Sequence, residues 1–138
     1  MPEEEYATDP HGFHIEKDRP IVFEEGDFDS PHTELSITET AQDLGLPGEG
    51  YYNVPSIYDG TIYNPADPEH YNIIRQNVQK LHQSGFKFPN FPDIPTAEQA
   101  AQQRSEYLNQ LRAQDLQKAR EAQIQKVIMQ MLQSRGGV

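Results

Sequence analysis

No cysteine occurs among the 138 residues, which excludes a disulfide framework, a zinc–thiolate centre and a cysteine nucleophile. No apolar run approaches the ~18 residues of a transmembrane helix. The N-terminus, Met1-Pro2-Glu3-Glu4-Glu5, is acidic, whereas a secretory signal is basic and then apolar. Export by such a signal is therefore not expected. Apolar residues are scarce, at 35%, so the core should be small, with part of the chain outside it. Basic residues are nearly missing from the front. Residues 1–50 carry 14 acids against Lys17 and Arg19 alone, which argues against direct nucleic-acid binding, because phosphate neutralisation needs clustered Lys and Arg.

The rest of the chain differs in sign. The net charge is −11, yet residues 51–138 carry eight acids against nine bases, and six bases follow Gln99. An acidic front joined to a mildly basic tail serves solubility and can also guide contact with a partner of opposite charge.

Catalytic patterns are also missing. The serines lie in no nucleophile-elbow motif, and neither a zinc-protease helix motif nor an EF-hand spacing occurs. His11 and His14 are three residues apart without a cysteine or a convergent carboxylate, an incomplete ligand set. His32, His70 and His82 are scattered. No catalytic, cofactor-binding or metal residue is assigned, no cofactor is expected, and the chain is not read as an enzyme.

Residues 1–18 read as an extended acidic arm, with Phe13 and Ile15 as isolated anchors. A β portion follows. Pro20-Ile21-Val22-Phe23-Glu24 and Glu34-Leu35-Ser36-Ile37-Thr38 predict a hairpin across a wide loop. The glycine-rich stretch from Leu44 to Gly50 lacks the P-loop lysine and reads as a turn. Asp59-Gly60, between two β-prone triplets, predicts a type I′ hairpin. Pro55 cannot donate to a ladder, so it should mark an edge or a bulge.

Helices dominate the second half. Asp67-Pro68 is an N-cap followed by a first-turn proline. Tyr71, Ile74, Val78 and Leu81 then share one face, and Ser84-Gly85 ends the helix. Phe86, Phe88 and Phe91 among prolines predict a loop pinned into the core. Thr96-Ala97-Glu98-Gln99 reads as a capping box. With no proline or glycine until Gly136, a single helix from Ala97 to Ser134 is expected, roughly 55 Å long. Ala97, Ala100, Ala101, Tyr107, Leu108 and Leu111 should pack on the domain. A small domain cannot cover so long a helix. Its distal apolar residues Leu116, Ile124, Val127, Ile128 and Met131 therefore form a candidate docking stripe. Another protein offering a groove is one conceivable partner, and a helix folded back on its own domain is the alternative without a partner. A second copy is opposed by a phase slip between Leu111 and Leu116, and contact with a membrane surface is a weaker alternative.

Taken in order, Arg19-Pro20-Ile21-Val22, Glu34-Leu35-Ser36-Ile37-Thr38 and Tyr52-Asn53-Val54-Pro55-Ser56-Ile57-Tyr58-Asp59-Gly60 form the first part of a pattern. Ser84-Gly85-Phe86-Lys87-Phe88-Pro89-Asn90-Phe91 and the Thr96–Tyr107 helix start, with Arg104-Ser105, complete it. The pattern resembles a small module of tailed-bacteriophage proteins and spans about residues 19–108. Tyr58 stands where that pattern more often has tryptophan. The resemblance implies a virion-associated or internally packaged protein, ejected with the genome in one version. It implies contacts with other virion proteins or with copies of itself, and no catalytic residues. A phage-encoded cytosolic adaptor and an accessory of a cell-wall-degrading complex are the alternatives. Asn53, Val54, Pro55, Asp59 and Gly60 are read as structural, and Arg104 and Ser105 as ties between helix and sheet. The expected architecture is α+β. It comprises an arm (1–18), a small antiparallel sheet packed by one short helix (19–110), and the distal part of a long C-terminal helix (111–138).

Overall fold

The computed structural model describes residues 6–16 and 19–136. Met1–Glu5, Lys17, Asp18 and the last two residues of the expected docking segment lie outside the described residues. The fold is α+β, with small antiparallel sheets and a helical C-terminal third. No helix among the described residues is long and apolar enough to cross a membrane.

The main sheet has three strands. β3 (Ser36–Thr40) pairs with β4 (Tyr51–Pro55), which also pairs with β7 (Asn90–Phe91). Side-chain alternation along β4 divides the layers. Val54 faces a core with Leu44, Ile74, Val78, Phe86 and Phe88. Asn53, one residue earlier, instead donates its amide to the Ala97 carbonyl at 2.7 Å. Helix α2 (Pro68–Gln83) thus covers one face, and helix α3 (Ile94–Leu111) crosses the other.

Several expectations hold residue by residue. Asp67 caps α2 by accepting from the Glu69 and His70 N–H groups, and Ile74 and Val78 are fully buried. Phe86 and Phe88 are buried, their rings 4.6 Å apart. β5 (Ile57–Tyr58) and β6 (Thr61–Ile62) form the expected hairpin. Its turn residues Asp59 and Gly60 have φ of 52° and 76°, the positive pair that type I′ requires. Pro55 sits at the end of the central strand rather than on an edge strand. The Asn53 N–H bonds to Pro89 on the β7 side. Two residues on, the Pro55 nitrogen points the same way but past the end of β7, where no ladder partner exists.

Other expectations need correction. Residues 6–16 are not an extended arm. β1 (Tyr6–Thr8) and β2 (His14–Glu16) pair antiparallel, and Ile15 is buried. Asp9-Pro10-His11-Gly12 makes their turn, with the Gly12 N–H bonding to the Asp9 carbonyl. The Pro20–Glu24 run is not a strand: only Val22 forms a bridge, to His32. β3 takes its ladder from β4 instead. The Leu44–Gly50 stretch is a turn entered through a short helix, α1 (Ala41–Leu44), capped by Thr40 and ended by left-handed Gly45.

The long helix begins earlier than expected and is interrupted. Asp93, not Thr96, is the N-cap and accepts from the Thr96 N–H at 2.8 Å. The hydroxyl and N–H of Thr96 hold the Asp93 carboxyl below its usual range. Arg112, with φ −114° and ψ 26°, departs from helical dihedrals and separates α3 from α4 (Ala113–Gly136). No glycine or proline causes this. Arg112 donates to the Arg19 carbonyl at 2.7 Å, a tertiary tie that intrinsic propensity does not register. Leu111, expected in the core, is 53% exposed.

Candidate docking surface

Three arginines eight residues apart fasten the helices to the acidic front of the chain. Arg104 on α3 is 4% exposed. Its Nε and Nη2 grip both Glu34 carboxylate oxygens, at 2.7 and 3.0 Å. Nη1 donates to Asp9 at 2.9 Å, and Nη2 also to the His14 carbonyl at 2.8 Å. Burial alone would lower the Arg104 pKa, but the hydrogen bonds and charge of Glu34, and then of Asp9, more than offset it and the pKa is raised. Arg112 binds the Arg19 carbonyl, and Arg120 on α4 reaches the Asp29 carbonyl at 3.2 Å. Of the three, Arg104 alone pairs with acids of the front, and the other two bond to its backbone.

The other motif residues divide by role. The Asn53 side chain links three elements, accepting from the Thr38 hydroxyl at 2.7 Å while donating to Ala97. Val54 is core. Ser105 makes no side-chain hydrogen bond among the described residues: it is exposed on the rim of an open cleft of about 470 Å³, between the 30–34 loop and the α3–α4 junction. Pro31, Leu108, Ala113 and Leu116 also line that cleft.

The five residues of the docking stripe meet different environments. Leu116 is buried by its own chain and so offers nothing to a partner. Ile124 and Val127 are half-buried. Ile128 and Met131 are 43% and 58% exposed, and Met129 and Leu132 join them at 52% and 54%. Four large apolar side chains thus gather on about one and a half turns of exposed helix, beyond the last hydrogen bond that holds α4 to the domain.

The histidines of the N-terminal segment serve packing. The His14 ring stacks on Tyr6 at 5.2 Å and accepts from the Lys87 N–H at 2.9 Å. The His11 Nε2 meets Gln103 at 2.7 Å. The structure brings together a group that sequence spacing did not single out. Glu24, Asp27 and His32 each place one ligand-type atom within 4.8 Å of the others. Asp27 already accepts from the Asp29 and Ser30 N–H groups, and these bonds lower its pKa.

A second open cleft is bordered by Arg19, Tyr58, Asp59 and Lys80. Arg19 lies over the Tyr58 ring at 5.5 Å and is bonded to Glu16 and to the Ile57 carbonyl. Burial pushes the Tyr58 phenol well above its ordinary range, so it stays neutral and serves as packing. Arg19 and Tyr58 in the second cleft are thus committed to the fold. Among the described residues, the end of α4 gathers four exposed large apolar side chains within five residues, whereas Phe28, Ile94 and Leu111 are exposed singly. Compared with known proteins, the chain matches no family model, no curated protein and no solved structure.

Proposed function

We propose that this chain is a non-enzymatic structural or internal virion component of a tailed bacteriophage, acting through protein–protein contacts. The motif order over residues 19–108 supports the phage setting. The observation that carries the mode of action is the cluster Ile128, Met129, Met131 and Leu132, each more than two-fifths exposed on one helical end. Monomeric proteins rarely gather large apolar side chains on the surface without a partner. Burying each contributes about 1.5–3 kcal/mol, enough to retain a small protein in an assembly after ordering costs are met. The domain is then a rigid base, and α4 is the element presented to neighbours.

Protein composition of purified particles tests this reading. Copies in fixed stoichiometry with known virion proteins are expected. Particles devoid of the chain, with the chain confined to the infected cytoplasm, would mark a cytosolic adaptor and overturn it. Clearing of peptidoglycan suspensions that depends on the chain would instead mark a part of the cell-wall-degrading apparatus.

A further inference from the structure

Within α4, Glu121, Ile124, Ile128, Met131 and Arg135 follow one another at spacings of three, four, three and four. That alternation is the two-residue-per-heptad seam of paired helices. It begins only after the phase slip between Leu111 and Leu116, so the helix taken whole conceals it. At 3.6 residues per turn, Ile124, Ile128 and Met131 lie about 80°, 120° and 60° around the axis from the buried Leu116, so the seam runs along the flank of the helix, and Ile128 and Met131 are exposed on it. Its apolar centre is closed by an acid at one end and a base at the other.

We propose that the 121–135 segment of α4 pairs antiparallel with the same segment of a second copy of this chain, on a two-fold axis passing beside Ile128. The proposal rests on the docking surface described above and names its occupant. Charge sets the orientation. Antiparallel pairing brings Glu121 of each copy to Arg135 of the other, twice over. Parallel pairing would set Glu121 against Glu121 and Arg135 against Arg135, and like charges across a helix interface are unfavourable. Ile124, Ile128, Met131 and Leu132 fill the space between the two ion pairs. Glu121 is already oriented by the Gln117 amide, 3.0 Å from its Oε1, leaving Oε2 to meet the guanidinium. A closed two-fold contact of this kind uses one patch on both copies and propagates no further. The paired ends are short, so the interface falls at the small end of the range, below about 1,200 Å². The dimer is accordingly reversible and concentration-dependent.

Sedimentation of the purified full-length chain provides the test. The average mass should rise from 15.8 kDa toward twice that value between about 1 and 500 µM, the range in which small interfaces dissociate. Ile128→Asp should abolish the rise. Glu121→Arg and Arg135→Glu should each weaken dimerisation about tenfold by turning two attractions into two repulsions. Combining them should restore it, because the reversed pairs again match. All three positions are exposed, so unchanged circular dichroism is expected for each variant. A monomer at every concentration overturns the proposal, whatever particle analysis finds. So do single charge reversals without effect, or a double reversal that fails to rescue.

Discussion

Replacing Arg104 with alanine should destabilise the protein by about 3–5 kcal/mol, the range for removing one partner from a buried ion pair. Arg104 stands between two acids, Asp9 and Glu34, whose side chains are 2% and 7% exposed. Without the guanidinium, two carboxylates face each other with little water and no counter-charge. Three parts of the chain would come loose together: the β1–β2 hairpin, the segment entering β3, and α3. Against a typical total of about 5–15 kcal/mol, such a loss is a large fraction. Arg104→Lys should recover part of it, since an ammonium keeps the charge but cannot make the two-pronged contact with Glu34. Urea unfolding with matched slopes measures both variants. A loss under about 1 kcal/mol would mean that the cluster only decorates the fold.

The second large effect is expected at Ile74. Its side chain is fully buried between α2 and the sheet, beside Leu44, Val54 and Val78. Ile74→Ala removes three carbons from a site that its rigid neighbours cannot collapse to fill, at a cost of about 2–5 kcal/mol. Ile128→Ala, an aliphatic truncation on exposed helix, should change monomer stability by no more than about 0.5 kcal/mol. Thermal or urea unfolding of the two variants side by side distinguishes a helix that covers the core from one that projects beyond it. Equal losses would contradict the division between α2 and distal α4.

The legibility of this fold follows the range of the forces involved. Where local chemistry decides, the residues announced the structure. Asp67-Pro68 marked the start of α2, Asp59-Gly60 marked its hairpin, and the Tyr71-Ile74-Val78-Leu81 spacing marked the buried face. Where a distant contact decides, they did not. Nothing near Arg112 announces a break, and the one long-range contact there is its side-chain bond to the Arg19 carbonyl. Arg104 was marked as a tie, but its acceptors include Asp9, 95 positions away. The β1–β2 hairpin was concealed by the acidity of its surroundings, although Asp9-Pro10-His11-Gly12 carries the proline and glycine of a tight turn. The Pro20–Glu24 run shows the reverse error. It has strand composition, yet only Val22 forms a bridge, to His32, and the outer edge of β3 is left unpaired by it.

The candidate docking residues follow the same logic. Periodicity placed Leu116 with Ile124, Val127, Ile128 and Met131, since all five share a broad face. Only the three-dimensional course of the chain removes Leu116, which is buried beside the cleft that the 30–34 loop also lines. Met129 and Leu132 were missed as surface residues because exposure depends on where the domain ends, which spacing along a helix does not encode.

The central claim is that the distal part of α4 serves assembly and not the stability of its own domain. Ending the chain after Ala122 tests it most directly, because this cut keeps the buried Leu116 and the Arg120 contact to Asp29 while removing the exposed apolar end. Purified particles made with the full-length and the shortened chain should be compared for copies incorporated, with the thermal midpoint of each free protein as control. The expected result is an unchanged midpoint within about 2 °C, less than the shift for a 1 kcal/mol change in a domain of this size, and loss of incorporation. Outright unfolding of the shortened chain, or its incorporation at full copy number, would contradict it.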